Sequence, residues 1–258
     1  MYYYLFFSFI AYAFLGWVLE VIYHIYKERR LINRGFLYGP ICPIYGTVAV
    51  MLIVGLAPIQ DNILYVFLAG GIIASIVETF TGYILEVAFN TKWWDYSKEK
   101  LNFHGYICLK FSIFWGFLSI VFIKFVNPQV LKIVYLAINY WKDGLYSFLI
   151  IALAADTAVT INSLIRLRML LAELQDILNE RKSAMEKLLE KAISAETKLN
   201  IQERIGQLSE LRKRIHERIS SRQKALLDAY PYVTSVKFNS AVEELKKRID
   251  KIKDKVSK

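Results

Sequence analysis

Long apolar runs dominate the first 165 residues of the chain, and each run is close to the length of a membrane-crossing helix. A helix needs about 20 apolar residues to cross the hydrocarbon core of a bilayer. The pattern predicts five such spans, at about residues 3–23, 41–59, 63–89, 106–126 and 145–165. The second span follows the glycine- and proline-rich stretch GFLYGPICPIYG, so a broken or re-entrant helix is an open alternative there. Residues 1–165 are therefore predicted to form an all-α polytopic membrane domain.

The third predicted span has one face of small and acidic residues and is otherwise apolar. At 3.6 residues per turn, that face carries Gly71, Ser75, Glu78, Gly82 and Glu86. A charged side chain at the centre of a membrane helix costs roughly 2.5–3.5 kcal/mol on insertion scales, so Glu78 should face protein or water. We therefore expect this helix to be the core against which the other spans pack.

From Leu164 onward the apolar residues recur in heptads, a pattern typical of a coiled coil. One core position holds Leu164, Leu171, Leu178, Met185, Ala192 and Leu199, and the other holds Leu167, Leu174, Leu188 and Ala195. Residues 166–258 are predicted to be a cytoplasmic helical coiled-coil tail with a break near 228–236, where Pro231 stops the helix. A single helix from Leu164 to Leu227 would be about 95 Å long and would need a partner. That partner could be the chain's own C-terminal helix, a second copy in a homo-oligomer, or another protein.

Composition and charge support this division of the chain. A mean hydropathy of +0.33 and a hydrophobic content of 55% exclude an ordinary soluble globular protein. The net charge is +10, and residues 166–258 carry most of it, with 22 basic and 14 acidic side chains. Such a tail suits anionic lipid headgroups or an acidic protein partner. Nucleic acid is the least supported partner, because no aromatic residue accompanies the basic residues of the tail before Tyr230.

The distribution of basic residues predicts the orientation of the spans. Lys and Arg concentrate in the first and third connections, at Lys27, Arg29, Arg30, Arg34, Lys92, Lys98 and Lys100. Because basic connections stay in the cytoplasm, we expect a multi-pass protein of the cell membrane with its N-terminus outside and its C-terminus in the cytoplasm. The fourth connection, residues 127–144, is then outside. Its apolar spacing predicts an interfacial helix lying flat on the membrane surface.

Polar side chains in the predicted membrane domain gather at its cytoplasmic end. The candidate polar site consists of Glu20, Glu78, Glu86, Asp156, Asn33, Arg34 and Asp95. A structural loop with tight backbone turns is predicted beside it, with Gly35, Gly39, Pro40, Pro43 and Gly46. One hypothesis is a pocket facing the cytoplasm, whose carboxylates bind a cation, a proton or a cationic group on a solute.

A structural hypothesis accounts for the same acids. Arg34, Lys110 and tyrosine hydroxyls could hold Glu20, Glu78 and Glu86, so that these carboxylates only fix how helices and loops pack. The sequence alone leaves both hypotheses open.

Catalysis and metal binding have no signature in the chain. The motifs G-x-S-x-G, H-E-x-x-H, Walker A and C-x-x-C are absent. The two cysteines, Cys42 and Cys108, are too few for a disulfide framework and lack the spacing of metal ligands. We therefore expect no enzyme activity and no metal or other cofactor.

Five sequence features, taken in order, are similar to a known family. They are Glu20 in the first span, NRGFLYGPICPIYG at 33–46, ETFTGYILE at 78–86, WWDYS at 93–97 and NFHGYICLKFSIFWG at 102–116. Together they resemble the bacterial ABC-transporter type IV (CmpB-like) membrane proteins, also labelled ABC transporter permeases, over roughly residues 5–165. The resemblance implies a bacterial membrane protein associated with transport, without implying a substrate. Because this chain lacks a P-loop, any ATP hydrolysis would come from a separate ATPase subunit.

Three functional hypotheses follow. The first is a transport-related membrane subunit with an acidic site near the inner leaflet and a tail that couples to a cytoplasmic partner. The second is a non-transporting scaffold or sensor that anchors a cytoplasmic coiled coil. The third, an enzyme acting on lipid, is the weakest because the sequence offers no activated nucleophile.

Overall fold

The protein is almost entirely helical in a computed structural model, which confirms the predicted all-α class. The structure describes residues 1–29, 33, 35–189, 194–230, 233–235 and 237–256. Its helices are α1 (Tyr2–Glu28), α2 (Pro43–Leu56), α3 (Ile63–Phe89), α4 (Leu109–Val121), α5 (Asn127–Leu188), α6 (Ala195–Arg218), α7 (Ser221–Ala229) and α8 (Asn239–Val256). A 3₁₀ turn at Ala57–Ile59 follows α2, and a π-helical turn at Phe122–Val126 joins α4 to α5. Two short strands, β1 (Asn102–Phe103) and β2 (Ile107–Cys108), pair antiparallel.

The chain divides into two compact units. Unit 1 contains Met1–Ala88 and Trp93–Ile161, and unit 2 contains Phe89–Lys92 and Asn162–Lys258. Each unit is described by itself below. The short segment Phe89–Lys92, which directly follows the body of α3, belongs to unit 2.

Among the residues that the structure describes, four helical segments are long and apolar enough to cross a membrane. They are Tyr2–Tyr26, Ile63–Phe89, Leu109–Trp141 and Asp143–Leu188. The second predicted span is a shorter apolar helix, Pro43–Ile59. It contains fewer than the roughly 20 residues that a full crossing requires, so the re-entrant alternative for this segment stays open.

The small residues of α3 allow α4 to approach its backbone closely. A Cβ atom on Gly71 would lie 2.9 Å from the backbone oxygen of Ser112, and one on Gly116 would lie 2.8 Å from the backbone oxygen of Phe67. Ser75 Oγ and Ser112 Oγ form a hydrogen bond of 2.9 Å across the same contact. This is the small-residue packing expected between membrane helices, where backbones meet without bulky side chains. This face of α3 therefore packs against α4, and that the other spans also pack on α3 stays a prediction.

The first two helices pack through glycines as well. A Cβ on Gly46 would lie 2.6 Å from the backbone oxygen of Phe9, so α1 and α2 touch at that point. The backbone N–H of Cys42 donates to the oxygen of Ala13 at 2.9 Å, which fixes the entry of α2. Pro43 then occupies the start of the helix, where its missing N–H costs nothing.

Helix α5 changes direction within unit 1. The hydroxyl of Tyr12 on α1 donates to Asn127 at 2.8 Å, and the ring of Tyr3 packs on Tyr146 at 4.9 Å between centroids. Asp156 then reaches the loop that follows the other end of α1. A straight helix would separate Asn127 from Asp156 by about 44 Å and would carry Asp156 away from that loop. α5 therefore runs towards the N-terminus of α1, bends, and returns alongside it.

The predicted fourth connection is thus helical. Residues 127–144 continue from α4 through the π-helical turn, and the valines at 130 and 134 pack with Phe7. That this segment lies flat on the membrane surface stays a prediction.

In unit 2 the expected continuous helix from Leu164 to Leu227 is wrong. The helix ends at Leu188, α6 begins at Ala195, and a further break separates α6 from α7 at Ile219 and Ser220. Ser194 and Ser220 are the N-caps of the two later helices, since each hydroxyl accepts a hydrogen bond from a backbone N–H.

Helix α6 folds back along α5. Arg204 pairs with Glu180 at 2.7 Å, and Arg218, more than three turns further along α6, pairs with Glu173 at 3.0 Å. From one ion pair to the next, the residue number rises on α6 and falls on α5, so the two helices are antiparallel.

The first half of the predicted heptad seam forms the core of this bundle. Leu164, Leu167, Leu171 and Leu174 are all buried. Further along, Met185 is 50% exposed and Leu199 is 66% exposed. Ala192 lies outside the described residues.

Helix α8 also packs on α5, because the N–H of Ala241 donates to Gln175 Oε1 at 3.1 Å. The partner of the tail helix over this stretch is therefore the chain's own C-terminal region, one of the three alternatives. The predicted break near 228–236 lies between the end of α7 at Ala229 and the start of α8 at Asn239. Pro231, the expected helix stop, lies outside the described residues.

Candidate functional site

The segment between α3 and α4 folds over the acidic face of α3. We call it the 93–108 loop, and it contacts that face once per helical turn. Tyr96 donates to Glu78 Oε1 at 3.1 Å, and Tyr106 donates to Glu86 Oε2 at 2.8 Å. Between these contacts the Trp94 ring covers Gly82, where a Cβ would lie 3.1 Å from the ring. The spacing 78, 82, 86 places all three positions on one stripe, so the loop covers it along two turns.

The loop is rigidly built. A hairpin turn joins β1 to β2, and both His104 and Gly105 have positive φ angles, 52° and 77°. The N–H of Tyr96 donates to the oxygen of Gly105 at 2.8 Å. Asp95 Oδ1 accepts the N–H of Ser97 at 2.9 Å and also its hydroxyl, an arrangement that closes a local turn. Asp95, a predicted site residue, therefore shapes the loop that carries Tyr96.

Glu78 is the most buried acid of the candidate site, with 8% of its surface exposed. One carboxylate oxygen accepts from Tyr96, and the other accepts the Trp115 indole N–H at 2.8 Å. No Lys or Arg among the residues that the structure describes forms an ion pair with it. A carboxylate can accept about four hydrogen bonds, and these two neutral donors use only half of that capacity.

Tyr96 connects Glu78 electrostatically to a second acid. Burial raises the pKa of Tyr96 far above its usual value of 10, and the charge and hydrogen bond of Glu78 raise it further. The negative charge of Glu20 on α1 also acts on this phenol. Stacking on Phe111, with 4.7 Å between ring centroids, holds the ring in place. Tyr96 therefore stays protonated and remains a donor beside two carboxylates.

Glu20 is held by α2. The hydroxyl of Tyr45 donates to Glu20 Oε1 at 2.6 Å, and Gly16, one turn earlier on α1, leaves room for the Tyr45 ring. We call Glu20, Tyr45, Glu78 and Tyr96 the Glu20–Glu78 cluster. It brings together side chains from α1, α2, α3 and the 93–108 loop.

Glu86 lies two turns further along α3 than Glu78 and has its own partner. Burial, followed by the hydrogen bond and charge of Glu86, raises the pKa of Tyr106 to about 12. The phenol is therefore a stable donor to the Glu86 carboxylate at neutral pH. This pair fixes the end of the 93–108 loop to α3.

Asp156 and Asn33 organise the predicted structural loop. Asp156 accepts the backbone N–H groups of Tyr38 and Gly39 at 2.9 and 2.8 Å. Asn33 Oδ1 accepts the Trp17 indole N–H at 2.7 Å and the N–H of the residue at 35 at 2.8 Å. Three of these four donors are backbone N–H groups of the loop and the fourth is an indole N–H of α1, so both residues act in shaping the loop. Arg34 lies outside the described residues.

The loop glycines sit where side chains would collide. A Cβ on Gly39 would lie 2.9 Å from Asp156 Oδ2, and one on Gly35 would lie 2.9 Å from Asn33 Oδ1. Pro40 occupies an exposed bend just before α2. These close contacts support the structural loop expected from the composition, which stays a prediction.

Tyrosine hydroxyls are among the partners of three acids of the candidate site, and whether these acids bind a ligand or only fix the packing stays open. Each of Glu20, Glu78 and Glu86 accepts a tyrosine hydroxyl, whereas Lys110 pairs with the half-buried Glu99 at 3.8 Å. Tyr45, Tyr96, Tyr106 and Trp115 were not singled out from the sequence, because nothing local assigns a tyrosine to an acid on another element. Within the described ranges, no three His, Cys, Asp or Glu side chains are grouped to hold a metal ion.

Comparison with known families gives one match. The family model ABC_trans_CmpB, described as "Putative ABC-transporter type IV", matches residues 7–161. That range contains the Glu20–Glu78 cluster, the 93–108 loop and Asp156. No curated protein and no solved structure matches the chain.

Proposed function

Because this chain belongs to the CmpB-like family of type IV ABC-transporter membrane proteins, we propose that it is a transport-related membrane subunit that binds a positive charge at its Glu20–Glu78 cluster. The ligand would be a proton, a small cation or the cationic group of a solute. The tail, residues 166–258, would couple this membrane part to a cytoplasmic partner.

The state of Glu78 carries the proposal. A carboxylate buried in a membrane helix is costly unless a counter-charge or a proton neutralises it. Its two donors, Tyr96 and Trp115, are neutral, and the described residues supply no basic partner. The remaining acceptor capacity of the carboxylate is therefore available to a positive ligand. Glu20, which acts on the same phenol, would add a second negative charge.

The orientation that we propose places the cluster near the cytoplasm. The basic first and third connections and the basic tail would be inside, and the N-terminus outside. Single-cysteine labelling of intact cells tests this topology. A cysteine at exposed Asp61 should react with an impermeant maleimide from outside, whereas one at Glu99 should react only after permeabilisation. The opposite pattern would overturn the orientation.

Energy for transport would come from a separate P-loop ATPase, since this sequence has no Walker A motif. The full-length protein, cross-linked in native membranes through its tail, should capture that ATPase. A variant shortened after Arg166 should lose the capture. Equal capture by both proteins would exclude the tail as the coupling element.

Ligand-dependent stability tests the site itself. The purified protein should be titrated with protons, Na⁺, K⁺ and methylammonium while its unfolding temperature is recorded. A ligand at 100 times its Kd should stabilise the folded state by about 2.7 kcal/mol. The effect should disappear in Glu78→Gln and persist in Glu99→Gln, a matched control on an acid outside the cluster. Identical titrations for the parent protein and Glu78→Gln would refute the site.

A non-transporting scaffold is the second candidate. Its support is that the carboxylates of Glu86 and Asp156 and the amide of Asn33 accept hydrogen bonds from groups of the protein itself, as residues with a purely structural role would. A scaffold should tolerate Glu78→Gln in every functional assay. It should lose function when the buried Leu171 is replaced by a polar residue, because the bundle of the tail would then open.

A further inference from the structure

The short segment that follows α3 is bound into the bundle of the tail. Lys92 and Thr234 form an antiparallel bridge in which each backbone N–H donates to the oxygen of the other. The two hydrogen bonds measure 2.9 and 3.1 Å. Both residues belong to unit 2, so the bridge is internal to that unit.

Two side chains add further contacts at Asn90. The hydroxyl of Ser235 donates to the backbone oxygen of Asn90 at 2.6 Å and accepts the N–H of Phe238 at 3.0 Å. The side-chain oxygen of Asn90 faces Arg168. It accepts hydrogen bonds from Nε and Nη2 of the guanidinium at 3.0 and 2.9 Å. Ser235 is only 4% exposed, and Thr91 is buried beside these contacts. The segment is thus held by backbone and side-chain bonds from two separate parts of the tail.

We propose that Asn90, Lys92, Arg168, Thr234 and Ser235 form a joint through which the tail and the Glu20–Glu78 cluster influence each other. This inference rests on the proposed function. Glu78 precedes Phe89 by 11 residues, about three helical turns, on the uninterrupted helix α3. A hydrogen-bonded helix transmits a displacement over that length. Because energetic coupling between two sites is reciprocal, a partner that moves the tail would alter the cluster to the same extent.

Hydrogen exchange of the full-length protein tests whether the joint exists. The amides of Lys92 and Thr234 should be protected in the parent protein. Ser235→Ala leaves the Asn90 oxygen and the Phe238 N–H without partners, so exchange at both amides should rise about tenfold or more. Arg166→Ala, two residues from Arg168 on the same helix, is the control and should leave exchange unchanged.

A second variant covers the case in which Ser235→Ala does not fold. Asn90 has a φ of 52°, a conformation that glycine adopts readily, so Asn90→Gly removes the amide contact with Arg168 without backbone strain. It should raise exchange at Lys92 and Thr234 by roughly 3- to 10-fold. Unchanged exchange in Asn90→Gly would overturn the joint.

A replacement of Glu78 tests whether a change at the cluster is transmitted along α3 to the joint. Replacement of Glu78 by Gln should change exchange at Lys92 and Thr234 by at least about fivefold, the lower range of typical coupling between sites. Glu99→Gln should not change it. If Glu78→Gln leaves both amides at their parent rates, the coupling proposal is wrong. If exchange responds but no cation stabilises the parent protein, the proposed ligand site fails and the joint stands.

Discussion

The hydrogen bonds to Glu78 lead to a quantitative prediction about two replacements of that residue. Glu78→Gln keeps one carbonyl oxygen, which can still accept from either Tyr96 or Trp115. Glu78→Ala leaves both donors without an acceptor. An unsatisfied buried donor costs about 1–3 kcal/mol. The methylene lost in alanine adds about 0.8 kcal/mol.

Because both variants are neutral, the energy of the buried charge cancels in the comparison between them. Glu78→Ala should therefore be less stable than Glu78→Gln by about 2–4 kcal/mol. That difference corresponds to roughly 4–16 °C in unfolding temperature for a chain of this size. Thermal unfolding of the two purified variants in the same detergent measures it.

A third variant identifies the source of the difference. When Tyr96 and Trp115 are both replaced by Phe, neither donor remains, so the gap between the Gln and Ala variants should shrink to about the 0.8 kcal/mol of the lost methylene. Equal unfolding temperatures for Glu78→Gln and Glu78→Ala in the parent background would refute the inferred hydrogen bonding. In that case Glu78 would not be enclosed by the 93–108 loop.

Three further predictions concern packing and charge. Leu174→Ala should destabilise the tail by about 2–5 kcal/mol, because Leu174 is fully buried. Met185→Ala, at a half-exposed heptad position, should change the stability by less than about 0.5 kcal/mol. Chemical unfolding measures both changes. Gly71→Ala should destabilise α3 packing, while Gly206→Ala, in open space within α6, should stabilise the protein by about 0.5–1 kcal/mol. Burial alone would raise the pKa of Glu244, but hydrogen bonds from a histidine and an arginine outweigh it and hold that pKa below 4.5. Its contribution to stability is thus present above about pH 4.5 and is lost as the pH falls, so an acid titration followed by circular dichroism should show a smaller loss in Glu244→Gln.

The membrane part of the fold was readable from the sequence because its signals are local. Apolar runs have the length of a bilayer crossing, and the 3.6-residue period places Gly71, Ser75 and Glu78 on one face. That face does pack against protein. The partners of the acids were not readable, because Tyr96 reaches Glu78 through the fold of a loop and no spacing along the chain encodes that contact.

The tail shows a different limit of sequence patterns. The heptad spacing continues from α5 into α6, so periodicity alone predicted one long helix. The break before α7 had a local signal, since Ser220 and Gln223 form a reciprocal capping box. The joint at Lys92 and Thr234 had none, because a bridge of two residues is too short to show a strand pattern.

The most direct test of the account is whether a positive ligand changes the Glu78 carboxyl group. Infrared difference spectra should be recorded as the cation that stabilises the protein, or a change in pH, is applied to the protein in lipid. The account predicts a carboxyl band that changes on ligand addition in the parent protein and in Glu99→Gln, and that is missing in Glu78→Gln. The same ligand-induced band in Glu78→Gln would contradict it.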